Sequence, residues 1–216
     1  MNIGVLGTGT VGQTIGSKLL ELGHSVCMGS RTSDNEKAKS FAEKAPLMAS
    51  AGTFATAAAF GELVFNCTAG AGSLDALLST GESLNNKILI DLSNPLDFSN
   101  GMPPTLSVCN TGSLGESIQS ALPQTQVVKA LNTTWCGIMV DPGMINNGDH
   151  HTFVSGNDAL AKDKVKQILQ SFGWKESHIL DLGDLTAARG MEMYLPLWLR
   201  IYGATKNGAF NIKIVS

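Results

Sequence analysis

Short apolar runs alternate with stretches of helical periodicity along most of the chain. The runs cover residues 3–6, 26–28, 63–67, 88–92, 127–131 and 152–155. Each is brief and continuous, the pattern of a parallel strand covered on both faces. Between them, residues 11–22, 33–44, 53–60, 73–79, 113–122 and 159–172 space their apolar side chains as helices. Ser33, Asp34, Asn35 and Glu36 have capping-box spacing and are expected to open the second helix. Strand–helix alternation of this kind predicts an α/β fold with a doubly wound, mostly parallel sheet.

The pattern changes at Thr186. Tyr194, Leu195, Leu197, Trp198, Leu199, Ile201 and Tyr202 would cover most of a helix circumference, so this helix is expected to be buried. Pro196 should kink it or mark its first turn. The chain is therefore read as a nucleotide-binding domain, residues 1–183, with a short C-terminal helical extension, residues 184–216, packed on it. One layer added to a sheet does not easily cover such a helix, and a homodimer through this region is the expected assembly.

Gly7-Thr8-Gly9-Thr10-Val11-Gly12 lies between the first strand and the first helix. Among 24 glycines a GxGxxG is weak by itself, but here it stands in the strand–turn–helix context of a Rossmann dinucleotide site. Gly7 permits the tight turn, Gly9 lets backbone approach a pyrophosphate, and Gly12 lets helix and strand pack closely. The amides at the helix N-terminus then face the negative charge. An NAD site places Asp or Glu at the end of the second strand, for the ribose 2′-hydroxyl. This chain instead reads Gly29-Ser30-Arg31-Thr32 there, with its first carboxylate at Asp34. Two hydroxyls and a guanidinium suit a 2′-phosphate, and Lys37 adds a cation one turn into the next helix. NADP(H) is the expected cofactor.

Composition narrows the partners. With 15 Lys+Arg against 18 Asp+Glu the net charge is −3, which argues against nucleic acid. Four of the cations, Arg189, Arg200, Lys206 and Lys213, fall beyond Thr186 against Glu192 alone, which fits either an anionic ligand or a solvated helix face. The cysteines, Cys27, Cys67, Cys109 and Cys136, lack metal or dithiol spacing, and the histidines lack partners at ligand spacing, so no metal is expected. His150 and His151 read as following a surface turn. The lack of a signal-like start or a bilayer-length apolar stretch leads to an expected cytoplasmic location without membrane contact. Tyr202 and Lys206 imitate a Tyr-x-x-x-Lys pair but belong to no matching glycine motif. No serine elbow and no evident general acid or base is present.

The glycine loop, Gly29-Ser30-Arg31, Val127-Val128-Lys129-Ala130-Leu131-Asn132-Thr133 and the C-terminal stretches 180–183 and 207–213 together resemble the deazaflavin (coenzyme F-420)-dependent NADP reductases. Relatives of that family include the cytoplasmic domains of membrane ferric reductases. The resemblance covers nearly the whole length. It implies that Thr8, Thr10, Val11, Ser30 and Arg31 bind the NADP phosphates. Thr68, Ala69, Asn94 and Pro95 would border the ribose and nicotinamide, and Ala130 and Asn132 would face the reacting rings. It also implies hydride exchange between NADPH and coenzyme F-420, a flavin or a similar planar acceptor. Another small acceptor (imine, quinone or ferric chelate) and a non-catalytic NADP sensor remain alternatives. Where the family carries Pro and a bulkier residue, this chain has Thr68-Ala69-Gly70-Ala71-Gly72, which implies a wider acceptor pocket.

Overall fold

A computed structural model describes residues 1–215. Among the described residues ten strands form in chain order: β1 Asn2–Leu6, β2 Ser25–Ser30, β3 Ala49–Thr53, β4 Leu63–Asn66, β5 Ile88–Asp91, β6 Leu96–Asp97, β7 Thr105–Leu106, β8 Gln126–Ala130, β9 Thr152–Gly156 and β10 Ile179–Asp181. The helices are α1 Thr10–Glu21, α2 Glu36–Glu43, α3 Phe54–Phe60, α4 Ser73–Leu78, α5 Leu114–Ala121, α6 Cys136–Val140, α7 Ala159–Ser171, α8 Ala188–Met193 and α9 Leu195–Thr205. Eight strands make one sheet in the order β10-β9-β8-β5-β4-β1-β2-β3, and β6 pairs with β7 in a small hairpin. From β3 to β8 neighbours are parallel, with helices on both faces, so the Rossmann expectation holds.

Two apolar clusters fill the two sides of the sheet. One centres on Ile3, Val5, Phe41, Phe65 and Val128, the other on Leu6, Leu77, Leu89 and Ile118. Local caps agree with the periodicity. Thr53 accepts the Thr56 amide at 3.1 Å ahead of α3, and Ser113 accepts the Glu116 amide at 3.1 Å ahead of α5.

Several expectations need correction. α2 opens at Glu36, not Ser33, because the Asn35 carboxamide takes the Ala38 amide at 3.1 Å and supplies the cap. β3 was not legible. Ala49-Ser50-Ala51-Gly52-Thr53 has no β-branched or aromatic residue before Thr53, and the strand forms through pairing with β2. β9 runs antiparallel to β8, although its sequence reads like the parallel strands. The connection from β8 holds only the five-residue α6 and short turns, with no long crossover helix to return the chain to the starting edge. The helix expected around Tyr194 divides into α8 and α9, with Pro196 in the first turn of α9. Its burial is partial: Leu195 is buried, whereas Leu197 is 57% and Tyr202 44% exposed. Trp198 stacks between Tyr202 and Phe210, with ring centroids 5.6 and 5.2 Å away. Among the described residues no helix is long and apolar enough to cross a membrane.

Candidate functional site

A cleft of about 920 Å³ opens over the C-terminal ends of β1, β2 and β4. Its lining begins with Gly7, Thr8 and Gly9, continues through Ser30, Arg31, Thr32 and Asn35, and closes with Cys67, Thr68, Ala69, the α4 residue Asp75 and Ser79 just after that helix. The turn after β1 needs its glycines. Gly7 sits at φ +116, and a Cβ there would stand 2.6 Å from the Cys67 carbonyl oxygen. A Cβ on Gly12 would collide with the Gly7 carbonyl oxygen, while one on Gly9 would meet nothing within 4 Å. Gly9 is thus the open face of the turn. It also caps α1 without any side-chain hydrogen bond, so the first amides of α1 remain available to an anion.

At the end of β2, Ser30 is buried and donates to the Thr32 carbonyl at 2.5 Å, which shapes the loop. Arg31 and Thr32 are exposed, and Arg31 forms no ion pair among the described residues. The Thr32 hydroxyl, followed by Asp34's own backbone, holds the Asp34 carboxyl below the usual carboxylate range. One negative charge therefore stands close to the Arg31 loop.

Of the sequence-predicted residues, the cleft gathers Gly7, Thr8, Gly9, Ser30, Arg31, Thr32, Thr68 and Ala69. Thr10 and Val11 form the first turn of α1, and Gly12 lies buried behind it. Lys37 is exposed on α2 outside the lining, where its carbonyl accepts from Gln13 at 3.2 Å. Asn94, Pro95, Ala130 and Asn132 lie farther along the strand ends. Ala130 is wholly buried in the core. Asn94 and Asn132 form a reciprocal pair: Asn94 Nδ2 donates to the Asn132 carbonyl and Asn132 Nδ2 to Asn94 Oδ1, both at 2.9 Å. Gly70 fits closely against the Asn94 carbonyl, which joins this shelf to the cleft wall. Asn132 Oδ1 is buried and unpaired among the described residues, as is Thr134 Oγ1. Between Ala130 and Asn132, Leu131 takes a left-handed φ of +60, a conformation costly for a branched side chain.

Sequence reading missed Asp75 on the far wall of the cleft, and it missed the charged cluster beneath the shelf. Lys129, inside an apolar strand, is fully buried. Its ammonium reaches Asp91 at 2.8 Å, Glu192 at 2.7 Å and the Ser93 carbonyl at 2.5 Å. Burial alone would lower its pKa, but the charges of Asp91 and Glu192 overcome this and raise it. Asn66 extends the cluster to the cleft. Its amide donates to Asp91 at 2.8 Å and Ser73 at 2.6 Å, and its carbonyl takes the Thr68 hydroxyl at 2.7 Å. The only signal in the sequence was a lysine within a core strand.

Two of the four C-terminal cations prove to be engaged internally. Arg189 grips Glu116 with two hydrogen bonds, and Lys213 pairs with Asp149. Arg200 and Lys206 stay exposed. His150 is buried rather than on a surface turn, bonded to the Pro142 carbonyl and to Asn211. Burial and then the Asp91 charge push the Cys67 thiol up, so the sulfur in the cleft wall is no ready nucleophile. The four cysteines are free, and among the described residues no three metal-ligating side chains gather.

A dinucleotide cleft of this form occurs in several families, and the comparisons choose among them. Residues 2–95 match the family described as NADP oxidoreductase, coenzyme F420-dependent. A crystal structure from Arthrobacter sp. FB24, described as that of a candidate F420-dependent NADP reductase, superposes over all of both chains with a TM-score of 0.92 and 49% identity. Metalloreductase STEAP3 of Rattus norvegicus is 28% identical over 202 residues, 91% of this chain, which spans 37% of that protein's length. The Aspergillus terreus reductive aminase bound to NADPH and ethyl levulinate shares the fold, with a TM-score of 0.66 at 18% identity over 95% of this chain and 62% of its own. With half its residues shared end to end with the Arthrobacter protein, the chain belongs to the coenzyme F420-dependent NADP oxidoreductase family.

Proposed function

We propose that the cleft binds NADP(H) with the pyrophosphate against Gly7–Gly12 and the 2′-phosphate against Ser30, Arg31 and Thr32, Lys37 contributing charge from outside. The observation that carries this reading is the uncapped start of α1 in one cleft with Arg31, which forms no ion pair among the described residues, and with no carboxylate at the end of β2. The site fits the cofactor in two further respects. Gly9 leaves an open approach to the backbone, and Asn132 Oδ1 is a buried acceptor in need of a donor such as a carboxamide N–H. Asp75 and Ser79 then flank the adenosine end.

When bound, the nicotinamide supplies the hydride chemistry, and the protein binds, orients and excludes water. Asn94 and Asn132 orient the ring from the shelf. A planar acceptor of the deazaflavin or flavin class stacks from the side of the C-terminal extension, with Arg200 and Lys206 as the exposed cations for its acidic tail. The open face of α9, with Leu197 and Tyr202, is where a second copy packs, and light scattering showing a monomer at all concentrations removes that part of the reading.

Arg31→Ala removes a charge-assisted contact of about 1.5–3 kcal/mol. NADPH binding should weaken roughly 10- to 100-fold while NADH binding barely changes. Equal losses for both cofactors in calorimetry defeat the assignment. NADPH oxidation with coenzyme F-420, free flavin, imine, quinone and ferric chelate identifies the acceptor class. Turnover only with imine, quinone or chelate replaces the planar acceptor, and turnover with none favours a sensor.

A further inference from the structure

The buried cluster of Asp91, Lys129 and Glu192 has a defined charge. Asp91 Oδ1 receives the Asn66 amide, the Ser93 amide and the Ser93 hydroxyl, and Oδ2 receives Lys129. Glu192 Oε2 receives the Leu114 amide, while Oε1 receives the Gly115 amide and Lys129. Every carboxylate oxygen thus faces at least one donor, the arrangement that favours two carboxylates in this cluster. The ammonium of Lys129 spends all three protons on Asp91, Glu192 and the Ser93 carbonyl. Two carboxylates and one ammonium leave a single net negative charge, sealed from solvent.

Its place is as informative as its sign. Lys129 directly precedes Ala130, Asp91 lies three residues before Asn94, and Asn66 leads to Thr68 in the cleft wall. The cluster underlies the C-terminal ends of β4, β5 and β8, where the shelf stands. Buried ion clusters are weak sources of net stability, so burial alone does not account for it.

We propose that this net negative charge favours the oxidised, positively charged nicotinamide over the neutral reduced ring, and so sets the relative affinity of the site for NADP⁺ and NADPH. The inference rests on the reading above that the nicotinamide lies over Asn94 and Asn132. The phosphates are the same in both cofactor forms, so their attraction or repulsion cancels from the ratio of affinities and the ring charge remains. Asn94 and Asn132 each follow a charged member of the cluster by three residues, roughly 10 Å of extended chain, and at that separation one unit charge at an effective dielectric constant of about 20 shifts the ratio on the order of tenfold.

Glu192→Gln and Asp91→Asn each remove one negative charge at nearly constant shape, from different parts of the chain, and either one tests the idea if the other fails to fold. Dissociation constants for NADP⁺, NADPH and 2′-phospho-ADP-ribose are measured by calorimetry on folded protein. The ratio Kd(NADP⁺)/Kd(NADPH) should rise about 3- to 20-fold in each variant, with 2′-phospho-ADP-ribose moving no more than NADPH. A purely structural role moves both forms together, and an unchanged ratio in a folded variant overturns the inference. Asn132→Ala tests the placement separately. If it weakens NADP⁺ and NADPH but spares 2′-phospho-ADP-ribose, the ring is where we put it and a flat ratio refutes only the charge effect. If it alters none of the three, the placement fails and the inference with it.

Discussion

The two halves of the crevice are built on opposite plans. Around β1 and β2 the ligand-facing groups are the first backbone amides of α1 and, beside the buried Ser30, the exposed Arg31 and Thr32 on short local turns. Around β4, β5 and β8 the polar groups are buried and, Asn132 Oδ1 and Thr134 Oγ1 apart, bonded to one another across spans of 25, 38 and 77 residues. An open cradle needs only the right conformation, which a few glycines ensure. A closed network has to be complete, because each missing partner leaves a desolvated charge or dipole unpaired. The first half can bind on its own terms; the second is organised before any ligand arrives.

Removing the hub should separate the halves most clearly. Lys129→Met strands two carboxylates in the interior, and we expect a loss of about 3–5 kcal/mol in urea unfolding. In the folded fraction, affinity for 2′-phospho-ADP-ribose should persist. Its disappearance would mean that the halves do not act independently. The opposite lesion is Gly12→Ala. Its Cβ collides with the Gly7 carbonyl, so the turn has to shift, at about 1–3 kcal/mol. NADPH binding should then be lost while amide exchange around Leu114 and Gly115 stays slow. A variant that binds normally would show that the turn tolerates the side chain.

The smallest effect lies outside both halves, in the C-terminal stretch that follows α9. His151 Nδ1 accepts the Ile214 amide at 3.2 Å, and the His151 amide bonds the Ile212 carbonyl at 2.9 Å. Burial, followed by the neighbouring His178, holds the His151 pKa below its ordinary value. A histidine depressed in the folded state stabilises it above the unfolded pKa, near 6.5, and that contribution fades as pH falls through the lower folded value. Protection of the Ile214 amide, measured against intrinsic exchange, should therefore fall below about pH 6.5, and His151→Gln should flatten the profile. Acceleration on raising pH, beyond intrinsic exchange, would contradict the assignment.

The same contrast explains what the sequence revealed. The glycine turn, the β2 end and most helices are local, so spacing and caps expose them: Thr53, Ser113 and Gly12 each act on residues a few positions away. β3 was hidden because its small residues gain strand form only from β2. The direction of β9 was hidden because apolar composition does not encode polarity of pairing. Lys129 read as one cation in a strand. Its meaning depends on Asp91 and Glu192, which no local pattern connects to it.

The reach of Glu192 also has a consequence in time. Asp91 and Lys129 are synthesised well before it, at some 5–20 residues per second. Until Glu192 emerges, the buried lysine has one carboxylate partner instead of two, and the Leu114 and Gly115 amides at the head of α5 have no acceptor. Closing that contact joins residues 77 positions apart, the kind of long loop whose entropy is paid before any contact rewards it. The nucleotide cradle, with its neighbouring strands and short turns, can be in place first. The far half of the crevice is the part of the chain that finishes last.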